Sequence, residues 1–366
     1  MYLCRRKGHK QRQMRKKLLM IRFSALGDVA MLAPVVKELA AALPELDVTV
    51  LSQPFCAPLF RGLGSNVSFI GADIKREYHG VKGLERLFGE LDGMGFDYVA
   101  DMHGVLRTHY LRMRFRMNGY AVARIDKRRG DRKRLTACGD KKVMRQLSTS
   151  FEKYRGVLRR LPIEGIGRLD AYAGAEDGGP VMSFGSVDKE VSAMLGSDGG
   201  RRIGIAPFAA HEGKIYPPEK TERVVELLTE RQPGVRIYLF GGGGRERERM
   251  LSWQRRWPRN VVAASPVLRS MERELPLMSR LDVMLTMDSA NMHLASLVGT
   301  RAVSVWGATH PFAGFLGWRQ REDDCVQLDI PCRPCSIFGN KPCFRGDFAC
   351  MNGISPEMIV ERVMHR

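Results

Sequence analysis

The sequence predicts an α/β protein with two separate parallel sheets, and three observations support this fold class. Two series of short apolar strands alternate with amphipathic helices, which is typical of parallel sheets with crossover helices. A segment rich in Gly, Asp and Ser separates the two series and indicates an interdomain linker. The length of 366 residues fits two domains of ordinary size.

The predicted boundaries divide the chain into five parts. Residues 1–17 hold eight Lys and Arg residues and no acid, so they are predicted to form a basic, disordered tail. The N-terminal domain is expected over 18–175, the linker over 176–200 and the C-terminal domain over 201–350. A closing helix is expected within 351–366, begun by Ser355 and Pro356 and packed back on the first domain.

The elements of both domains follow from the positions of the apolar residues. In the first domain we expect strands at 18–23, 48–52, 67–70 and 98–101, and helices at 29–43, 82–91 and 106–117. A short helix at 189–195 interrupts the linker. In the second domain we expect strands at 202–206, 236–240, 283–286 and 302–306, and helices at 219–231, 245–257 and 291–298.

The charge and cysteine content narrow the function classes. The net charge of +19 favours a polyanionic partner, which can be nucleic acid, an anionic membrane surface or a phosphorylated substrate. Eight cysteines are too few for a disulfide framework in a chain of this length, which indicates a cytoplasmic protein with reduced thiols. The longest apolar stretch, 18–42, is interrupted by Arg22, Asp28, Pro34 and Lys37 and is not expected to span a bilayer.

The turn after the first strand presents a carboxylate at the carboxyl edge of the sheet. It reads Arg22-Phe23-Ser24-Ala25-Leu26-Gly27-Asp28, so Asp28 begins the following helix. Two interpretations stay open: Asp28 is a helix N-cap, or it is a general base in the crevice where open α/β sheets bind ligands. The turn lacks the GxGxxG pattern of dinucleotide-binding proteins.

Two segments of the second domain indicate a phosphate site. Four glycines, 241–244, separate a strand from a helix and either cradle phosphate with their N–H groups or form a flexible connection. The segment Met287-Asp288-Ser289-Ala290-Asn291-Met292-His293 again ends a strand with Asp and starts a helix immediately. Its small residues beside exposed helix N–H groups suit a diphosphate.

Together with Val305-Trp306-Gly307-Ala308-Thr309-His310-Pro311, the motifs around Asp28 and Asp288 resemble glycosyltransferase family 9, the ADP-heptose:lipopolysaccharide heptosyltransferases. The resemblance runs from about Lys17 to the C-terminus. It implies the GT-B fold, in which two Rossmann-like domains face each other across a cleft. It also implies an inverting transferase that moves a heptose or similar sugar from an ADP-sugar to the lipopolysaccharide inner core.

The resemblance assigns roles residue by residue. Asp28 is similar to the family's general base, which deprotonates the acceptor hydroxyl. The expected donor-binding residues are Lys214 at the phosphates, Glu246 at the ribose, and Asp288, Ser289, Ala290 and His293 near the sugar and diphosphate. No cofactor and no catalytic metal are implied. Ala290 stands where relatives usually have Gly, and Ala209 and Ala210 stand where they often have hydroxyl residues.

Basic residues cluster between 107 and 134, after Asp101, His103 and Gly104. They form either a solvated helix face or an acceptor site, to which Asp101, His103 and Arg107 are assigned as binding residues. The implied acceptor is a phosphorylated lipid A core, which would place the enzyme at the inner face of the cytoplasmic membrane as a peripheral protein. Two alternatives remain: the same fold with another nucleotide-sugar or glycan acceptor, and a basic nucleic-acid-binding α/β protein, for which no known motif is found.

Four cysteines close to the C-terminus are spaced too irregularly for a standard zinc ribbon. They are Cys332, Cys335, Cys343 and Cys350. They form either a structural zinc site or a group of reduced thiols, and neither interpretation makes them catalytic.

Overall fold

A computed structural model of the chain describes residues 15–173, 179–196 and 200–365. Two parallel sheets, each covered by helices, form its two halves, which confirms the predicted fold class. The first sheet contains β1 (Lys16–Ile21), β2 (Leu46–Ser52), β3 (Val67–Gly71), β4 (Tyr98–Asp101) and β5 (Ala121–Arg124), in the order β3-β2-β1-β4-β5. The second contains β6 (Arg202–Ala206), β7 (Arg236–Leu239), β8 (Val261–Ala263), β9 (Val283–Met287), β10 (Ala302–Trp306) and β11 (Cys325–Gln327), in the order β11-β10-β9-β6-β7-β8.

The helices follow the strands in the alternation that parallel pairing requires. In the first half they are α1 (Leu26–Ala30), α2 (Leu32–Ala42), α3 (Gly80–Asp92), α4 (Leu106–Met117), α5 (Arg129–Leu135), α6 (Ser150–Leu158) and α7 (Arg168–Ala173). The linker contains α8 (Lys189–Leu195). In the second half they are α9 (Pro218–Arg231), α10 (Arg245–Arg256), α11 (Ala264–Leu268), α12 (Met271–Met278), α13 (Ala290–Leu297), α14 (Ala349–Asn352) and α15 (Pro356–Met364).

The register of the strands determines which loops meet at the carboxyl edge of each sheet. In the first sheet Ile21, the last residue of β1, pairs with Asp101, the last residue of β4, so the loops that follow these strands are neighbours. In the second sheet Ala206 of β6 pairs with Thr286 of β9. At both places the strand order reverses, and such a crevice is where open α/β sheets bind ligands.

The two halves share a hydrophobic core on one side and face each other across a cleft on the other. One buried cluster includes residues of both sheets, for example Met20 of β1 and Met284 of β9. Main-chain hydrogen bonds also cross between the halves, from Leu147 N–H to the Phe312 carbonyl at 2.8 Å and from Ser150 N–H to the Gly314 carbonyl at 3.1 Å. These contacts hold the carboxyl edges of the two sheets opposite each other.

Two elements near the N-terminus differ in extent from the sequence prediction, and the start of the closing helix agrees with it. β1 begins at Lys16, inside the predicted tail, of which residues 1–14 lie outside the described part of the chain. The single helix predicted at 29–43 is two helices, α1 and α2, divided at Met31. The closing helix begins as predicted, with the Ser355 hydroxyl accepting a hydrogen bond from Met358 N–H at 3.3 Å.

The prediction that this closing helix packs on the first domain was wrong. α15 lies against α9 and β11 of the second half, where Ile359, Val360 and Val363 are fully buried. Arg201 donates hydrogen bonds to the Val363 and Met364 carbonyls at its C-terminal end. The apolar face of α15 therefore completes the core of the second domain.

No helix within the described part of the chain combines the length and the hydrophobicity that a membrane span needs.

Candidate active site

Asp28 lies in the first turn of α1, at the carboxyl edge of the first sheet. Its carboxylate forms an ion pair with Arg22, with Nη2 and Oδ2 2.5 Å apart. Burial opposes ionisation of this carboxyl group, but the positive charge of Arg22, with a smaller contribution from His293, outweighs burial and lowers the pKa of Asp28. Asp28 is therefore ionised at neutral pH. Asp28 is not the N-cap of α1, because that position is held by Ala25 and no side chain caps the helix.

A cleft of about 540 Å³ separates Asp28 from the second domain. It brings together all seven residues predicted to be the base or to bind the donor: Asp28, Lys214, Glu246, Asp288, Ser289, Ala290 and His293. It is also lined by residues that sequence reasoning did not select as site residues, namely Phe208, His211, Asn291, Phe315 and Phe338. The three phenylalanines lie in predicted loops, and no sequence pattern there identifies them as site residues.

Lys214 and Asp288 form a nearly buried ion pair at the second-domain wall of the cleft. Lys214 Nζ lies 2.9 Å from Asp288 Oδ2, and the two side chains are 14% and 4% exposed. α13 begins two residues after Asp288, and its first residues, Ala290 and Asn291, line the cleft. The free N–H groups of this helix end, together with the lysine, suit the charge of a diphosphate.

His293 of α13 packs against Gly27 of α1, so the two domains touch at this place. A Cβ atom built on Gly27 would lie only 2.7 Å from Cδ2 of His293, so a glycine is required at this contact. Burial lowers the pKa of His293 to about 4, which makes its imidazole neutral at physiological pH. Its buried Nδ1 atom has no hydrogen-bond partner among the described residues.

Glu246 lines the cleft, but the four glycines before it do not. The Glu246 carboxylate folds back on this loop and accepts a hydrogen bond from Gly242 N–H at 2.6 Å. Gly241 packs against Phe208, where an added Cβ would lie 2.8 Å from the ring. The structure therefore favours a connection between strand and helix over a phosphate cradle. Its contacts with Glu246 and Phe208 make this connection tight and not flexible.

A second cavity, of about 600 Å³, lies on the first-domain side of Asp28. It is strongly basic, and we call it the basic cavity. Its charged lining consists of seven Lys and Arg side chains and one carboxylate: Arg22, Lys127, Arg129, Arg132, Lys133, Lys153, Lys341 and Asp28. The predicted basic segment 107–134 supplies only part of this set, because Lys153 comes from α6 and Lys341 from the second half.

Lys153 lines this cavity, and its ammonium group lies 5.9 Å from the centroid of the Phe315 ring. The residue is 9% exposed, and its Nζ atom forms no hydrogen bond among the described residues. Burial, followed by the charge of Arg132, lowers the pKa of Lys153 to about 8. A buried ammonium group without a counter-ion is costly, and an anionic ligand would remove that cost.

Phe315 and Phe338 form the wall between the cleft and the basic cavity. Their rings stack with centroids 5.8 Å apart, and Arg132 lies 5.6 and 5.5 Å from the two ring centroids. Both rings line both cavities, as do Ala25 and Asp28. Asp28 therefore faces a polar cleft on one side and a basic cavity on the other.

The three predicted acceptor-binding residues have different positions. His103 lines the basic cavity, with its Nε2 3.3 Å from the Ser24 hydroxyl. Arg107 is exposed and lines neither cavity. Asp101 is fully buried: one carboxylate oxygen accepts hydrogen bonds from His103 and Gly104 N–H, and the other pairs with Arg112 at 2.7 Å. This geometry gives Asp101 a structural role in the loop after β4 and contradicts direct contact with an acceptor.

The four C-terminal cysteines are free thiols, and none of them lines the cleft or the basic cavity. Burial raises the pKa of Cys350 to about 11. Among the described residues, no three His, Cys, Asp or Glu side chains lie close enough together to hold a metal ion. The structural zinc site and the group of reduced thiols both stay predictions.

Comparisons with known proteins agree with this geometry. Residues 185–341 match the model of glycosyltransferase family 9 (heptosyltransferase). This part of the chain is therefore similar to that family. A lipooligosaccharide heptosyltransferase 2 from Campylobacter jejuni is 29% identical to this chain over 82 residues. The aligned residues are 22% of this chain and 25% of that relative.

Solved structures extend the likeness of the fold to nearly the whole chain. A glycosyl transferase family 9 structure from Veillonella parvula has a TM-score of 0.68 at 18% identity and covers 95% of this chain and 96% of its own. The ADP-heptose lps heptosyltransferase II of E. coli has a TM-score of 0.61 at 18% identity, with 94% and 97% covered. Both solved structures support the GT-B fold over nearly the whole chain.

Proposed function

We propose that the protein is an inverting glycosyltransferase that moves a heptosyl or similar sugar from an ADP-sugar to the lipopolysaccharide inner core. The family 9 match supports the transferase class, and the activities after which the similar proteins are named support the heptosyl donor and the lipopolysaccharide acceptor. The acceptor is anchored in a membrane, so we propose that the enzyme works as a peripheral protein at the inner face of the cytoplasmic membrane.

One observation carries this proposal: Asp28 lines both cavities. In a transferase with a single base, the acceptor oxygen must reach both the base and the anomeric carbon, so the base has to lie where the acceptor and donor sites meet. The cleft provides Lys214 and the N-terminus of α13 for the diphosphate, and the basic cavity provides cations for an anionic acceptor. The ionised carboxylate of Asp28 lies where the two substrates would meet.

The reaction follows from this arrangement. The acceptor oxygen attacks the anomeric carbon and forms the new C–O bond while its proton moves to the Asp28 carboxylate. The bond between the anomeric carbon and the β-phosphate oxygen breaks, and its electron pair leaves with ADP. Lys214 and the N–H groups at the start of α13 stabilise the charge that develops on the diphosphate. The displacement inverts the anomeric centre because the two oxygens lie on opposite faces of the sugar.

The composition of the basic cavity favours a glycan acceptor with phosphate or carboxylate groups. Seven cations face one carboxylate, and Lys153 lacks any partner that would neutralise it. These cations surround a concave space beside a base, whereas nucleic-acid binders present exposed stripes that follow a phosphate backbone. The alternative of a nucleic-acid-binding protein therefore has less support than the transferase.

The substitution Asp28→Asn tests the proposal. We expect turnover with ADP-heptose and a phosphorylated core acceptor to fall by about 10²–10⁴-fold, because a general base acts in the transition state. The Kd of ADP, measured by calorimetry, stays unchanged. Asp140→Asn, at an exposed position away from both cavities, is the matched control. Weakened ADP binding with normal turnover would contradict the assigned role, and stabilisation by UDP instead of ADP would point to another donor.

A further inference from the structure

The solvent face of α4 carries an apolar stripe in place of the polar surface expected for an outer helix. Leu106 is 85% exposed, Met113 43% and Met117 70%. At about 100° per residue these three side chains lie within an arc of about 40°. The buried residues of the same helix, Thr108, Leu111 and Phe115, lie on the opposite side. We call Leu106, Met113 and Met117 the α4 stripe.

Basic residues border the α4 stripe on both sides. Arg107 and Arg114 follow one side and Arg116 the other, and α4 contains no acidic residue. Glu85 of α3 lies beside the helix, but its carboxylate already accepts a hydrogen bond from the Tyr110 hydroxyl and pairs with Arg114 at 2.7 Å. Arg107 and Arg116 are exposed to solvent. The helix therefore presents an apolar centre with a positive rim.

The α4 stripe begins at the entrance of a third cavity, which leads toward the candidate active site. Leu106 lines this cavity, of about 740 Å³, together with Arg124 and Arg160. Lys127 and Arg129 line it as well, and they also line the basic cavity beside Asp28. A molecule lying along the stripe would thus have a continuous positively charged path to the proposed base.

We infer that α4 docks the protein on an anionic lipid surface, with the stripe among the acyl chains and the arginines at the headgroups. Exposed apolar side chains lose unfavourable contact with water in the headgroup region, and arginines at its edge attract anionic lipid. This inference rests on the proposed function, because the lipid surface is the partner from which the acceptor would enter the third cavity. Neither a nucleic acid nor a soluble glycan would favour three exposed aliphatic side chains in a row.

Vesicle binding tests the inference directly. The full-length protein is sedimented with vesicles of phosphatidylethanolamine and phosphatidylglycerol at 3:1, and with vesicles of phosphatidylcholine alone. We expect binding to the anionic vesicles and at least a tenfold loss in the variant Leu106→Gln/Met113→Gln/Met117→Gln. Gln has nearly the helix propensity of Leu and Met, so the helix should persist, and circular dichroism checks that it does.

Two matched variants separate the stripe from general surface effects. Val267→Gln/Met358→Gln removes apolar side chains of the second domain that are 42% and 39% exposed, and we expect it to bind like the parent protein. Arg107→Gln/Arg116→Gln should weaken binding at least tenfold at low salt, whereas Arg231→Gln/Arg255→Gln should not. Raising the salt to 0.5 M should weaken the parent protein and reduce the difference, because exposed charges are then screened.

The outcomes distinguish this inference from the proposed function. Turnover on a deacylated, water-soluble core acceptor should be the same for Met113→Gln/Met117→Gln, which leaves Leu106 of the third cavity unchanged, and for the parent protein, while turnover on vesicle-embedded acceptor falls. Equal vesicle binding by both proteins would overturn the docking surface and leave the transferase intact. Stripe-dependent dimers, or stripe-dependent binding of a 20-nucleotide RNA without vesicle binding, would also overturn it. Vesicle binding without turnover on any acceptor would overturn only the proposed function.

Discussion

Arg22 has two opposing effects on Asp28. Its charge lowers the pKa of the carboxyl group, which ensures the ionised form at neutral pH, and the same charge makes that carboxylate a weaker proton acceptor. Arg22 is also held in place, because it donates a hydrogen bond to the Met102 carbonyl in the loop after β4. The base is thus kept in its reactive charge state by a rigid partner rather than by solvent.

Lys153→Met should make the free protein more stable and the acceptor bind less well. The pKa of Lys153 in the folded protein is about 8, below the value of 10.5 for a free lysine. The unfolded chain therefore binds more protons between pH 8 and 10.5, and stability rises with pH through this window. Below pH 8 the full penalty remains, so the substitution should raise the free energy of unfolding at pH 7 by roughly 1–3 kcal/mol.

Urea denaturation at pH 7 and pH 10, with and without inorganic phosphate, measures both effects of Lys153→Met. The gain should shrink at pH 10, and stabilisation by phosphate should decrease. Lys133→Met, at an exposed position in the same basic cavity, is the control and should leave stability unchanged. A loss of stability in Lys153→Met at pH 7 would show that Lys153 has a partner in solution.

Substitutions of the Lys214–Asp288 pair should weaken ADP binding while having unequal effects on stability. Lys214→Met leaves the less exposed member, the carboxylate of Asp288, without its cation, which typically costs about 3 kcal/mol. Asp288→Asn leaves Lys214 at the cleft surface and should cost less. The double variant should be more stable than Lys214→Met alone. Calorimetry with ADP and urea denaturation check these values, and a selective loss of acceptor binding would contradict the donor assignment.

At the scale of the elements, the contact between α1 and α13 should be as important as the charged residues. Gly27→Ala would bring a methyl group to 2.7 Å from His293 and 3.5 Å from the Ala290 backbone, so the two helices must move apart. We expect turnover to fall by roughly 10–100-fold, since small displacements of reacting groups are costly, with a smaller change in thermal stability. Gly89→Ala, in α3 with open space around its Cβ position, is the control. Normal turnover in Gly27→Ala would show that the domains separate during catalysis.

The elements that the sequence predicted best are those with strong local patterns. The ranges of β4, α4, β6, α8 and β10 were predicted without error because buried apolar runs or capping residues mark their ends. Strands β5, β8 and β11 were missed, since three or four residues are too few for a recognisable alternation. The division between α1 and α2 was missed because the apolar pattern continues through Met31 and contains no Gly or Pro at the break.

The candidate site was predictable where strand ends carry motifs and not where distant segments meet. Asp288 follows β9 directly and Asp28 lies in the first turn of the helix after β1, so the sequence alone placed both at sheet edges. Lys153 and Lys341 reach the basic cavity through tertiary packing that no local pattern records. The sequence also did not predict the burial of Asp101, because this burial depends on the ion pair with Arg112 of the following helix, α4.

At the scale of the whole molecule, the cysteine thiols lie apart from the residues of the proposed reaction. The proposed reaction uses a carboxylate and cations, and none of the cysteines that the structure describes lines the cleft or the basic cavity. We therefore expect full turnover after treatment with EDTA, at most with some loss of thermal stability. Metal analysis of the purified protein accompanies this assay. One equivalent of zinc whose removal abolishes turnover without unfolding the protein would contradict the expectation.

The wall formed by Phe315 and Phe338 has a consequence for the order of substrate binding. Both rings belong to both cavities, and Arg132 rests against them from the first domain. A ligand that shifts either ring changes the shape of the neighbouring cavity. Thermodynamic linkage then requires that the first substrate alter the affinity for the second by the same factor in either order. We therefore expect each substrate to raise or to lower the affinity of the protein for the other. This coupling should occur although the two substrates touch each other only at the reacting atoms.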